Sequence, residues 1–123
     1  MSELAVPPGW PPEVRPPGAP GWERTAVAWL LDLCPPDYRA YEVLRAHPVV
    51  LARFARGHVE AGVEATRRGL ASARAELRGR VAPEVLEAAL AAYEREGARL
   101  LAVRRSAALV EEALQGRRFV RRL

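Results

Sequence analysis

The chain has no lysine, no asparagine, no isoleucine and a single cysteine among its 123 residues. The missing residue types share AT-rich codons, so the bias points to a GC-rich bacterial genome. Arginine abundance therefore carries less weight here as a sign of phosphate binding. A lone cysteine, Cys34, excludes an internal disulfide, and a reducing cytoplasm is the expected compartment. No run approaches the roughly 20 apolar residues that span a bilayer. The proline-crowded start lacks the apolar segment of a secretory signal, so no membrane association is expected.

Other absences bear on chemistry. His47 and His58 stand eleven positions apart, which on one helix is ~16.5 Å and too far for a shared metal. Neither Glu-x-x-His nor His-x-x-x-His occurs, and there is no Gly-rich phosphate loop, nucleotide fingerprint or Ser/His/Asp set. The sequence thus nominates no catalytic residue, no metal ligand and no cofactor, and leans away from an enzyme.

What is present is helical periodicity. Residues 48–79 and 83–115 each carry an apolar seam in steps of three and four, the signature of one helix face. The first runs Val49, Ala52, Ala55, Val59, Val63, Thr66, Leu70, Ala73, Leu77. The second runs Leu86, Ala89, Tyr93, Gly97, Leu100, Val103, Ala107, Val110, Leu114. Read in opposite directions they pair Leu77 with Leu86, Leu70 with Tyr93, Val63 with Leu100, Val59 with Val103 and Val49 with Leu114. The paired numbers add to 162 or 163 throughout, so one antiparallel, coiled-coil-like register fits the whole length.

Two shorter helices are predicted before it. Trp22, Ala26, Trp29, Leu30 and Leu33 share a face over 22–33, and Pro35-Pro36 stops that helix. A second helix is expected over 36–46, with Tyr38, Tyr41 and Leu44 facing inward. A further stripe on each long helix (Leu51, Phe54, His58, Ala61, Ala65; Ala98, Leu101, Ala108, Leu109) predicts that the short helices cover one end of the hairpin. The fold class expected is all-α: two short N-terminal helices packed on a long helical hairpin as a four-helix bundle.

The helical domain is read as 22–115. Residues 1–21 hold seven of the eleven prolines and form a Pro-rich arm, expected to be extended or disordered, with Trp10 as its natural anchor. Pro8–Pro11 and Pro17–Pro20 have the spacing that groove-binding partners read. Residues 116–123 form a basic tail. Residues 1–115 hold fifteen arginines and fifteen acids, so the whole net charge of +4 sits in Arg117, Arg118, Arg121 and Arg122.

Three functional expectations follow. A twelve-residue helix covers about 18 Å of a hairpin roughly 48 Å long, so the tip, residues 68–95, protrudes. A second copy of the chain is the simplest cover. The leading reading is therefore a small non-enzymatic interaction or scaffold protein, homodimeric or holding a protein partner. The second is weak, sequence-independent nucleic-acid association through Arg117, Arg118, Phe119, Arg121 and Arg122. The third is a small-molecule sensor or enzyme with a pocket formed by Trp29, Tyr41, His58 and Arg104. In that pocket the hairpin register sets a buried His58 near Arg104 or Arg105. Cys34, at a helix C-terminus, reads as a packing residue.

Overall fold

A computed structural model describes residues 5–117. It is all-α, with α1 at Trp22–Leu33, α2 at Glu42–Ala46, α3 at Pro48–Leu77 and α4 at Pro83–Leu114. Pro48 and Pro83 occupy the first positions of the long helices, where the missing amide costs nothing. At the far end of α4, Arg117 N donates to Glu112 O (2.9 Å) and Gly116 N to Ala113 O (3.0 Å). Those two bonds satisfy carbonyls that the last helical turn leaves open.

The second predicted helix is broken. Pro36–Ala40 is a 3-10 turn, Tyr41 is extended (φ −85°, ψ 106°), and α2 begins at Glu42. A straight helix would point Tyr38, Tyr41 and Leu44 the same way. The kink instead seats Leu44 fully inside and leaves Tyr41 56% exposed. Tyr38 stays half-buried, its ring edge-on to Phe54 at 6.0 Å between centroids.

α3 and α4 form the antiparallel hairpin in the expected register: Gly62 faces Leu100, Thr66 faces Gly97, and Gly69 faces Tyr93. The seam differs from the sequence reading at three points. Leu70 lies at its exposed edge and Gly69 meets Tyr93 instead; Leu90, not Ala89, is buried on α4; Val49 is exposed. A seam written in threes and fours leaves a one-residue ambiguity, and the larger side chain is not always the one that faces the partner.

The main core lies at the end away from the Pro83 turn, where Leu30, Leu44, Leu51 and Val110 are fully buried. α1 and α2 pack chiefly on α3. The second stripe of α4 is not under them: Leu101 is 43% exposed and Ala98 is exposed. The arm reaches α4 instead. Ser106 Oγ donates to Gly9 O (2.6 Å), Arg15 N donates to Thr25 Oγ1 on α1 (3.0 Å), and Val14 is buried in the main core.

Residues 5–21 hold their course through consecutive reverse turns. Trp10 N bonds to Pro7 O, Ala19 N to Pro16 O and Trp22 N to Ala19 O. Each such turn has proline second and a positive-φ glycine third (Pro8-Gly9, Pro17-Gly18, Pro20-Gly21). That is the chemistry of a type II turn. Trp10 Nε1 closes back onto Val14 O at 2.8 Å.

Candidate functional site

The short helices end where the hairpin continues, and that step shapes one flank. α1 finishes at Leu33 beside His58, and a groove of about 330 Å³ opens there between α1 and the hairpin. Its floor is Val59, Gly62, Leu100 and Val103; Asp32, His58, Thr66, Glu96 and Arg99 stand around it. The acids already have partners. Arg39 Nη2 donates to Asp32 Oδ1 at 2.6 Å, and Arg99 donates to both oxygens of Glu96 at 2.7 and 2.8 Å. The hydrogen bond from Arg99 holds the exposed Glu96 carboxyl below the usual carboxylate range.

The four residues nominated for a pocket have different surroundings among the described residues. His58 is exposed rather than buried, with its ring edge-on to Tyr38 at 6.3 Å. Arg104 turns away from it and pairs with Glu60 at 3.5 Å. Tyr41 lines a separate depression of about 370 Å³ with Tyr38, Val43, Leu44 and Phe54. Trp29 packs half-buried against the main core. Two residues level along a hairpin can still lie on opposite flanks, which the register alone does not distinguish.

Cys34 is buried, and burial pushes its thiol pKa up against a smaller opposing pull from Arg39. It packs in the main core with Leu30, Leu44 and Leu51. Among the described residues no cluster of His, Cys, Asp and Glu could hold a metal ion, and no helix is long and apolar enough to cross a membrane. Of the tail candidates, Arg117 is described: its side chain is mostly exposed, 3.6 Å from Glu112. Arg118, Phe119, Arg121 and Arg122 lie outside the described residues.

The far half of the hairpin is the most unfinished surface. Only Ala73, Leu86 and Leu90 form a buried cluster there, with Leu77, Val81 and Tyr93 half-buried around them. Leu70 and Val85 are exposed at 36% and 50%. Ion pairs span the opposite flank of the hairpin from α1: Arg56–Glu111 (2.9 Å), Arg104–Glu60 (3.5 Å) and Arg74–Glu87 (3.1 Å). The sequence reading did not pick out this flank, because its charged residues looked like an ordinary solvated face.

No protein-family profile matches the chain, and neither a curated protein nor a solved structure shows significant similarity to it.

Proposed function

We propose that the chain is a small, non-enzymatic helical interaction protein of the cytoplasm that works as a homodimer through the far half of its hairpin. The observation that carries this reading is the bare tip. Two helices bury their apolar stripes fully only when a further layer packs on them. Beyond α1 this hairpin has none, and its exposed side chains include Leu70 and Val85. A second copy supplies that layer with closed symmetry. Sedimentation equilibrium at micromolar concentration tests it. The expected mass is twice 13.5 kDa. A mass of 13.5 kDa overturns it, and strong hydrogen-exchange protection over residues 68–95 would then show that the tip is stable alone.

A second reading rests on the uneven charge. With the first 115 residues neutral, the tail holds the whole excess of four arginines. Weak attachment to nucleic-acid phosphates is the function that such a tail supports.

A further inference from the structure

The flank opposite α1 carries a second periodic stripe on each long helix. On α3 it runs Arg56, Glu60, Val63, Arg67, Leu70, Arg74, in alternating steps of four and three. On α4 it runs Glu87, Leu90, Glu94, Gly97, Leu101, Arg104, Ala108, in alternating steps of three and four. Such spacing keeps every member on one side of its helix. The observed ion pairs confirm that the two stripes share a flank, since Arg104–Glu60 and Arg74–Glu87 join one stripe to the other. Between those two bridges lies a window with leucine at its exposed edges: Leu70 at 36% and Leu101 at 43%.

Charge is sorted around that window. Toward the tip the α3 edge is basic (Arg67, Arg74) and the α4 edge acidic (Glu87, Glu94). At the body end of the window the order reverses, with Glu60 on α3 and Arg104 on α4, and beyond it Arg56 of α3 pairs with Glu111 of α4.

We infer that this window is the dimer contact and that it takes a second copy with α3 lying over the partner's α4, both tips pointing the same way. The inference rests on the homodimer reading and adds its face and register. A two-fold axis parallel to the hairpin exchanges the two helices while keeping every level along the axis. Arg67 and Arg74 then meet Glu94 and Glu87 of the second copy, and Glu60 meets Arg104. Leu70 falls over Leu90 and Gly97, and Leu101 over Val63. The other two-fold arrangement, with tips opposed, lays α3 on α3 and α4 on α4. Centred on the window, that sets Glu60 against Arg74 and Glu87 against Arg104 but brings Arg67 onto Arg67 and Glu94 close to Glu94 beside the axis. Like charges across an interface disfavour that register.

Charge reversal in the full chain tests this, read by sedimentation equilibrium with circular dichroism confirming the helices. Arg67→Glu/Arg74→Glu and Glu87→Arg/Glu94→Arg should each weaken self-association at least tenfold. An equimolar mixture of the two variants should recover it, and so should the fourfold reversal in one chain. If either half-reversal costs helicity, the corresponding Gln substitutions take its place, with a smaller loss of association in the same direction. Half-reversed variants that dimerise as tightly as the native chain overturn the proposed face and leave the homodimer standing. Recovery in the mixture but not in the fourfold reversal overturns the register, because only α3-on-α3 packing behaves so. A monomeric native chain removes the homodimer reading and this inference with it.

Discussion

Tyr93 closes the hairpin over Gly69, its ring occupying the space that any side chain at 69 would need. A Cβ built there stands 2.7 Å from the ring's Cζ and 2.8 Å from its hydroxyl oxygen, inside van der Waals contact. Gly69→Ala should therefore destabilise the fold by about 1–3 kcal/mol, the usual cost of overpacking. In a Tyr93→Ala background the same change should stabilise by up to about 1 kcal/mol, because alanine is the better helix former. Urea unfolding of the four proteins checks the reversal of sign. An additive cycle would mean that the ring is not where the register places it.

The kink at Tyr41 divides two residues that a straight helix would treat alike. Leu44→Ala should cost about 2–5 kcal/mol, as a fully buried leucine does. Tyr41→Ala should stay within roughly 0.5 kcal/mol, as exposed positions do. Equal losses at the two positions would restore the continuous helix.

Cys34 sets an alkaline limit on stability. Its thiol pKa is raised in the folded chain, so the unfolded thiol ionises first as pH rises. The contribution is complete below the unfolded value, about 8.5, and is lost as pH climbs through the folded one. The urea midpoint of the native chain should fall over that window, and that of Cys34→Ala should fall less. Iodoacetamide should label Cys34 slowly in the native protein and quickly in urea.

The tail has its own test. Four phosphate contacts give a log–log salt slope of about −3.6 on duplex DNA. Binding should be independent of sequence and largely abolished by deleting residues 117–123, with the helices intact. Titration at two salt concentrations, with and without the tail, measures it. Unchanged affinity without the tail would place the contact elsewhere.

The prolines that stop and start helices, and the one antiparallel register that suits both long seams, are written into local sequence. Proline geometry and the 3.6-residue period do not depend on what lies around them. That is why Trp22–Leu33 and the hairpin were legible from the residues alone. The arm is a correction: residues 1–21 read as extended or disordered from their seven prolines, whereas three Pro-Gly pairs set reverse turns in it.

What the sequence left open was which flank each side chain occupies. His58 and Arg104 are close in register, yet one borders the groove beside Leu33 and the other pairs with Glu60. Leu44 and Tyr41 differ by a kink that no propensity demands. These choices depend on where α1 ends and on which neighbour fills a space first. They arise from packing among distant residues, and only the folded chain decides them.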